Sequence, residues 1–389
     1  MNIKAGLSVD IGNSETRVAL MTGGKTYFYK LSNKFAELRA GYQINDKYMN
    51  GKSYVLQVNK TYYANGQLVD REFKGVELRP SSLQSKTDQL VTELTFNLIF
   101  YKALLILSKV YSVPISNMKV TFNISTLLPP LDQEVNSDKL KEKLKSITQI
   151  DAYLPVRLQS NIEVENVEVL PEGVTAFFGA LFTDGVTEED VSYIDDIVIV
   201  NDGKGLEEVE ENKTFNTGYV LILDIGAGTT DVSLILDMEL VEASKDTFNR
   251  GGNTVQSIIT NELKKKYGFS PTDLSRVISE AVLEEGVDTY NVEDIVTYAK
   301  SVYSKMMISD LRQYLERLTI PMQSIKGLLV VGGGALPSVR DGVVVSPSMA
   351  EVLMGYLKEL APRIRLVDTK DKNLRDLNIL GLSYIHKYL

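Results

Sequence analysis

The sequence contains no cysteine, and His386 is its only histidine. The absence of cysteine excludes disulfides, thiolate zinc sites and cysteine nucleophiles. A single histidine argues against a serine–histidine triad and against a metal site built from several histidines. We therefore expect any chemistry to depend on carboxylates, hydroxyls, backbone amides, lysine and arginine.

A signal peptide and a long hydrophobic run are also missing. The first ten residues, MNIKAGLSVD, lack the charged and then apolar pattern of a signal peptide. The most apolar segment, residues 90–111, is interrupted by Glu93, Asn97 and Lys102, and its longest unbroken apolar run is five residues. A membrane span needs about 20 mostly apolar residues. We therefore expect a buried core helix there, a cytoplasmic protein and no contact with a membrane.

Negative charge is concentrated in one segment. The net charge is −9, and residues 184–212 contain eleven Asp and Glu residues against one lysine. We interpret this segment as part of a solvated surface insertion over residues 185–216, with a short strand at IVIV. A docking site for a basic partner is the alternative. No basic patch of similar density occurs, so direct binding to nucleic acid is not expected.

One short pattern occurs twice. Residues 7–20 read LSVDIGNSETRVAL and residues 220–235 read VLILDIGAGTTDVSLI, so the same acidic, glycine-containing turn recurs 214 residues apart. Each copy predicts a strand, a tight turn and a second strand. Helical patterns follow each copy. NSDKLKEKLKSI after the first copy predicts a helix with an Asn or Ser cap, and RGGNTVQSIITNELKKKYG after the second predicts a helix that ends at Gly268. A further helix is predicted directly after the glycine triplet at 332–334, and we therefore expect two similar α/β domains.

The residues of these turns favour binding of a phosphate chain. Neither GxGxxG nor GxxxxGK[ST] occurs, so dinucleotide and Walker-type sites have no support. Glycine-containing turns can instead direct consecutive backbone N–H groups at one anion. The hydroxyls of Ser14, Thr16, Thr229 and Thr230 are predicted to add donors.

Asp10 and Asp224 occupy the same position in the two copies. Mg²⁺ usually takes one or two protein carboxylates beside substrate phosphates, so we predict that both face a magnesium ion. The alternative is that each Asp only stabilises its own turn, as Asp often does.

Three motifs resemble the nucleotide-binding motifs of the actin superfamily. Residues 10–14, 224–230 and 330–335 are similar, in order and spacing, to its phosphate-1, phosphate-2 and adenosine motifs. The resemblance implies an α/β fold of two ribonuclease-H-like domains facing across a nucleotide cleft, with ATP, or GTP in its place, and Mg²⁺ as cofactors. The residues implied for nucleotide binding are Gly12, Asn13, Ser14, Gly226, Ala227, Gly228, Thr229, Thr230, Gly251, Gly252, Gly332, Gly333 and Gly334.

The resemblance also implies a catalytic residue. In this superfamily the helix before the phosphate-2 strand carries a polar residue that orients the attacking water, and the match here is Glu172 in LPEGVTA. A carboxylate can align such a water with the γ-phosphate. The alternative is that Glu172 only complements the dipole of a helix that starts at Pro171. Asp231 is expected to support the second turn, the outer shell of the metal or simply the start of a strand.

Within the superfamily, the features VLPEGVTAFFGAL and NLRDLNILGL are most similar to plasmid-segregation actins of the ParM type. We therefore predict an ATPase that forms filaments with Mg-ATP and moves DNA held by a separate DNA-binding adaptor. A monomeric small-molecule kinase and a non-hydrolysing binding module are the alternatives. The predicted domains are a first domain at 1–170 with a β-rich elaboration near 33–85, a connecting helix at 171–184, the acidic insertion at 185–216, a second domain at 217–370, and a C-terminal helix at 371–389 that packs on the first domain.

Overall fold

The computed structural model describes residues 1–12, 15–39, 41–48, 51–80, 84–183, 191–194, 196–201, 205–268, 271, 274–285, 288–369, 373–374, 376–388. Contacts within the chain divide it into two compact units. Unit 1 contains Met1–Pro171, Thr183–Glu207 and Ile379–Leu389, and unit 2 contains Glu172–Phe182 and Glu208–Asn378.

The strands, in chain order, are β1 Asn2–Ile11, β2 Glu15–Thr22, β3 Lys25–Ser32, β4 Phe35–Leu38, β5 Ser53–Val58, β6 Thr61–Gly66, β7 Lys119–Leu128, β8 Gln149–Leu154, β9 Leu158–Pro171, β10 Phe182–Thr183, β11 Val191–Ile194, β12 Ile197–Asn201, β13 Glu207–Glu208, β14 Tyr219–Ile225, β15 Thr230–Leu236, β16 Glu239–Leu240, β17 Asp246–Phe248, β18 Val282–Glu285, β19 Asp288–Asn291, β20 Ile325–Val331, β21 Ser338–Arg340, β22 Val343–Ser346 and β23 Arg365–Leu366. The helices are α1 Gln67–Glu72, α2 Leu90–Tyr111, α3 Pro130–Lys145, α4 Val174–Leu181, α5 Gly252–Tyr267, α6 Ser275–Glu280, α7 Glu293–Arg317, α8 Met349–Leu360 and α9 Leu377–Tyr388.

Unit 1 is built on an eleven-stranded sheet in the order β11-β12-β3-β2-β1-β7-β9-β8-β5-β6-β4. β1 and β2 form an antiparallel hairpin in which Asp10 pairs with Arg17 and Ile11 pairs with Thr16. β7 lies parallel to β1 on its other side, and β9 lies parallel to β7. The first Asp-Ile-Gly turn therefore follows a central strand of the sheet.

Unit 2 repeats this arrangement. Its sheet has the order β16-β15-β14-β20-β23, with β17 also paired to β15. In the β14–β15 hairpin, Asp224 pairs with Asp231 and Ile225 pairs with Thr230, and β20 lies parallel to β14. Both hairpins have the same register relative to their Asp, so the sequence repeat corresponds to a structural repeat, as predicted.

The apolar segment near residue 100 forms α2, and most of its side chains are buried in the core of unit 1. Among the helices that the structure describes, α2 is the one whose length and composition would allow a membrane span, and 83% of its most apolar window is buried inside the protein. This burial is that of a core helix.

Three helix boundaries differ from the sequence prediction. α3 begins at Pro130 rather than at an Asn or Ser cap near residue 136, because proline is suited to the first turn of a helix. α4 begins at Val174 rather than at Pro171, because β9 continues through Pro171 and Gly173 then takes a φ of 80°. The glycine triplet is followed by the β21–β22 hairpin, and a helix starts only at Met349.

The segments predicted between the two domains and at the C-terminus are distributed over both units. The helix predicted at 171–184 is α4, whose buried side chains, among them Phe177 and Leu181, pack in a core of unit 2. Residues predicted as an insertion at 185–216 are divided between the units, and β12 pairs with β3 in the sheet of unit 1. In α9, Ile379 and Leu382 pack with Ala19 and Leu127 of unit 1.

Candidate functional site

The turn of the first hairpin is held by residues of unit 1. The Gly12 N–H donates to Glu15 O at 3.1 Å. Thr16 is fully buried, and its hydroxyl donates to Asn33 Oδ1 at 2.6 Å, while Asn33 Nδ2 donates to Gly12 O. The predicted ligand residues Asn13 and Ser14 lie outside the described residues. The Thr16 hydroxyl therefore stabilises the turn, which corrects the prediction that it is a phosphate donor.

A lysine that the sequence analysis missed lies beside this turn. Lys86 Nζ donates to Ile11 O at 2.7 Å, although the two residues are 75 positions apart. Neither Asp-Ile-Gly turn contains a basic residue of its own. Lys86 therefore brings a positive charge next to the predicted phosphate-1 turn, and no local sequence pattern could have identified it.

The turn of the second hairpin has backbone donors available for an anion. The Gly226 N–H donates to Thr229 O at 2.9 Å. Within the part of the chain that the structure describes, the N–H groups of Ala227 and Gly228 have no acceptor. Consecutive unpaired amides at a glycine-containing turn are the chemistry of an anion-binding nest. The residues present therefore fit a phosphate group.

The Thr230 side chain lies on the buried side of this turn. It is fully buried, and its hydroxyl lies 2.7 Å from both Arg250 O and Tyr303 Oη. Burial raises the pKa of Tyr303 to about 12. The Thr230 hydroxyl therefore bonds within unit 2, and a contact of Thr230 with a nucleotide stays a prediction. Asp231 accepts a hydrogen bond from Thr247 Oγ1 at 2.6 Å, which ties β15 to β17.

The loop before α5 packs directly on the second turn. The N–H groups of Gly252 and Asn253 donate to Gly226 O and Ala227 O at 2.8 and 2.7 Å. A Cβ on Gly251 would lie 2.7 Å from Gly226 O, Ala227 O and the Thr229 nitrogen. Only glycine allows this approach, so the predicted pair Gly251–Gly252 adjoins the predicted phosphate-2 turn.

The glycine triplet reaches the same place from β20. Gly332 has a φ of 88°, and a Cβ there would lie 2.5 Å from Asp224 Oδ1 and from Ile225 O. A Cβ on Gly334 would overlap the Ile225 side chain, and one on Gly252 would lie 3.9 Å from Gly334 Cα. Gly333 is exposed between them. The second turn, Gly251–Gly252 and the triplet thus converge at the carboxyl ends of β14 and β20.

A buried lysine anchors the loop that continues from the triplet. Lys300 of α7 donates to Pro347 O at 2.7 Å and lies 3.4 Å from Leu336 O and from Ser338 Oγ. Burial lowers the pKa of Lys300 to about 8. Lys300 was not singled out from the sequence, because a lysine in an amphipathic helix is ordinarily solvent-exposed.

The two predicted metal carboxylates belong to different units. Asp10 is buried at the end of β1, and Asp224 Oδ2 accepts a hydrogen bond from Asn378 Nδ2 at 2.9 Å. Among the described residues, no group of three or more histidine, aspartate or glutamate side chains is arranged to hold a metal. Mg²⁺ that is held mainly by phosphates and water needs only one or two carboxylates, which fits single aspartates at these turns.

Glu172 lies in the turn between β9 and α4, outside the helix, and is partly exposed. The N–H of the next residue, Gly173, donates to Asn378 Oδ1 at 3.1 Å. Glu172 lies one residue before the N-cap of α4, so the alternative that it complements the dipole of this helix stays open. Its catalytic role stays a prediction.

Comparison with known proteins identifies the fold. Residues 222–339 match the family model of the C-terminal domain of archaeal MreB-like actin homologues. Ta0583, an archaeal actin homologue of known structure, has 16% sequence identity to this chain. The superposition covers 98% of this chain and 99% of the Ta0583 chain, with a TM-score of 0.67. The chain has the actin-like fold.

Further structures with the actin-like fold agree. The actin-like protein Alp7A has 17% sequence identity to this chain. The superposition covers 99% of this chain and 96% of the Alp7A chain, with a TM-score of 0.65. ParM of Bacillus thuringiensis with ATP has 16% sequence identity to this chain. The superposition covers 98% of this chain and 97% of the ParM chain, with a TM-score of 0.56. No curated protein sequence matches the chain significantly. The predicted α/β fold and the resemblance to actin-like proteins are confirmed.

Proposed function

We propose that this actin-like protein binds Mg-ATP, assembles into filaments and hydrolyses the nucleotide. The observation that carries the proposal is the convergence of three glycine loops at the ends of β14 and β20, with the N–H groups of Ala227 and Gly228 unpaired among the described residues. In support, Ta0583 has been seen with ADP and B. thuringiensis ParM with ATP and with ADP. ATP is the proposed nucleotide, and GTP is the alternative.

The roles of the residues follow from their chemistry. The two Asp-Ile-Gly turns bind phosphates of the same nucleotide, with Lys86 adding positive charge at the first turn. The glycine triplet allows the backbone to approach the adenosine. Asp10 and Asp224 would hold Mg²⁺, which would supply positive charge against the negative charge that develops on the phosphates. Glu172 aligns the attacking water.

Filament formation is proposed from the similarity to ParM. One of the similar ParM structures is described as a non-polymerisable quadruple mutant. We propose that the filament segregates plasmid DNA in the cytoplasm through a DNA-binding adaptor. A net charge of −9 supports an adaptor, because an acidic protein is repelled by phosphates.

The test combines light scattering, negative-stain microscopy and phosphate release at micromolar protein. Mg-ATP should raise the scattering and produce filaments, and phosphate should follow with a delay. A flat scattering trace with phosphate transfer to a small molecule would favour the monomeric kinase. Assembly without phosphate release would favour a binding module.

Glu172→Ala tests the hydrolytic step. Removing the carboxylate should slow phosphate release by about 100-fold or more, as expected for loss of a group that aligns water, and leave assembly intact. Filaments of this variant should therefore persist. Glu168→Ala, an exposed glutamate of β9, is the matched control and should behave like the wild type. Normal turnover in Glu172→Ala would remove Glu172 from the mechanism.

A further inference from the structure

Asn378, in the first turn of α9, uses both ends of its side-chain amide. Its Nδ2 donates to Asp224 Oδ2 at 2.9 Å. Its Oδ1 accepts from the Gly173 N–H at 3.1 Å and from Thr175 Oγ1 at 3.0 Å. These partners lie 154, 205 and 203 residues away in sequence, and all belong to unit 2. One side chain thus joins the proposed metal carboxylate to the turn that carries Glu172.

Only an amide of this length meets these requirements. Two donors face Oδ1 and one carboxylate faces Nδ2, so a single orientation of the Asn378 amide satisfies every contact. An aspartate would lose the donor and bring a second negative charge to Asp224. An apolar residue would leave the buried Thr175 hydroxyl without this acceptor.

The turn beside Glu172 depends on this contact. Gly173 is the N-cap of α4 and has no side-chain cap from its own helix. The φ of Gly173 is 80°, a conformation in which a residue with a side chain would be strained. A Cβ at this position would also lie 3.3 Å from Ile222 Cγ2, so the turn packs closely against β14. Asn378 therefore supplies, from α9, an acceptor at the start of α4 for the Gly173 N–H and the Thr175 hydroxyl.

We propose that Asn378 is a positioning residue that holds the Glu172 turn at a set distance from Asp224. The inference rests on the proposed function, because it concerns how Glu172 and Asp224 act together in hydrolysis. Asn378 contacts neither water nor nucleotide in this proposal. It acts through its hydrogen bonds to the groups that do, as outer partners of metal ligands do in other proteins.

Asn378→Ala should lower the single-turnover rate of phosphate release by about 10- to 100-fold, in the range found when such outer partners are lost. Affinity for a fluorescent ATP analogue should change less than about threefold, since the loops that bind it keep their own contacts. In nucleotide-free protein, the Gly173 amide should exchange its hydrogen faster. Asn136→Ala, which removes an Asn–Asp hydrogen bond of 2.6 Å in α3, is the matched control.

Asn378→Asp separates positioning from general stability. The introduced carboxylate keeps an acceptor for the Gly173 N–H and the Thr175 hydroxyl but loses the donor to Asp224. Asn378→Asp should therefore keep the slow hydrogen exchange of the Gly173 amide and still lower the rate of phosphate release, whereas Asn378→Ala should change both. Thr175→Val, which keeps the Asp224 contact, should give a smaller loss than Asn378→Ala.

The outcomes distinguish this inference from the proposed function. A wild-type protein that releases no phosphate would overturn both. An active wild type with an equally active Asn378→Ala, or with unchanged exchange at Gly173, would overturn the inference alone. Parallel loss of rate, affinity and melting temperature in Asn378→Ala, with a wild-type rate in Asn378→Asp, would reduce Asn378 to a structural residue and also overturn it.

Discussion

At the scale of single residues, the glycines of unit 2 are explained by how closely its loops approach one another. Gly251 has an extended backbone with a φ of −149°, which any residue can adopt. A side chain is excluded at Gly251 by lack of space, because a Cβ would lie 2.7 Å from three backbone atoms of the second turn. The requirement for glycine is therefore steric at this position.

Gly251→Ala is the first prediction. The added methyl should force the second turn and the start of α5 apart, which should destabilise unit 2 by about 1–3 kcal/mol, as overpacking typically does. Nucleotide affinity should fall with it, because the unpaired amides of the turn move. Urea denaturation and titration with a fluorescent nucleotide measure the two effects.

Gly355→Ala is the control for this prediction. Gly355 lies in α8 and is exposed, and a Cβ added there would have no other atom within 4 Å. Alanine should stabilise the helix by about 0.5–1 kcal/mol relative to glycine. If Gly251→Ala unfolds at the same urea concentration as the wild type, the loops are less tightly packed than these distances imply.

Hydroxyl residues near the turns show where residue-level prediction from sequence ends. Thr16 and Thr230 were expected to donate to phosphate, yet both hydroxyls are buried and bonded within their own unit. A glycine–hydroxyl pattern identifies the turn. It cannot say which face of the strand each hydroxyl occupies, because that depends on partners such as Asn33 and Tyr303 that are distant in sequence.

At the scale of elements, local patterns predicted the hairpins and the main helices well. α2 and α5 were expected, and α5 ends at Gly268, whose φ of 84° is the left-handed cap that the glycine indicated. The starts of α3 and α4 were wrong because proline and a left-handed glycine shifted them.

Contacts between distant elements could not be predicted. The buried ammonium of Lys102 in α2 donates to Asp196 Oδ2 at 2.8 Å and lies 5.0 Å from the Tyr29 ring centroid. From sequence, Lys102 only interrupted an apolar segment and Asp196 only added to an acidic one. The ion pair explains both, since a buried lysine requires a partner.

α9 carries the only histidine of the chain, and its docking on unit 1 is expected to depend on pH. His386 Nδ1 lies 2.6 Å from Ser125 Oγ, and a Cβ on Gly6 would lie 2.5 Å from His386 Nε2. Burial lowers the pKa of His386. The folded protein therefore binds a proton at this site less readily than the unfolded chain, whose histidine has a pKa of about 6.5.

The sign of the effect follows from proton linkage. Above a pH of about 6.5 the histidine is neutral in both states and its contribution to folding is fully present. As the pH falls below that value, the unfolded chain takes up the proton first and stability is lost. The melting temperature should thus fall more steeply between about pH 7 and pH 5 in the wild type than in His386→Gln. Equal slopes in the two proteins, or an NMR titration of the single histidine at an unshifted pKa, would contradict this.

At the scale of the whole molecule, one α/β arrangement is used twice. Each unit has an antiparallel hairpin, a parallel third strand and an Asp at the same register position. The repeat of Asp-Ile-Gly in sequence was sufficient to predict this duplication, because the turn and the strand period are local properties. The division of the acidic segment between the two units was not predicted, because it depends on the pairing of β12 with β3.

The proposed function requires both units to bind one nucleotide, and a double-mutant cycle tests this requirement. Asp10→Asn and Asp224→Asn each remove one negative charge with little change in shape. Each should weaken Mg-ATP binding by about tenfold, or about 1.4 kcal/mol, in calorimetric titration at constant Mg²⁺. If the two carboxylates face the same magnesium ion, their effects should couple by about 0.5–3 kcal/mol in the double variant.

The stoichiometry and a matched control complete the test. One nucleotide should bind per chain, and Asp138→Asn, at an aspartate whose side chain is 95% exposed in α3, should bind like the wild type. Additive losses within about 0.5 kcal/mol would mean that the two aspartates act independently. Two nucleotides per chain would mean that each unit binds its own nucleotide, and a loss confined to Asp224→Asn would assign binding to unit 2 alone. Because each hairpin sits in its own sheet with its own core, such a unit could bind phosphate by itself, and only measured coupling separates that case from a nucleotide shared by both hairpins.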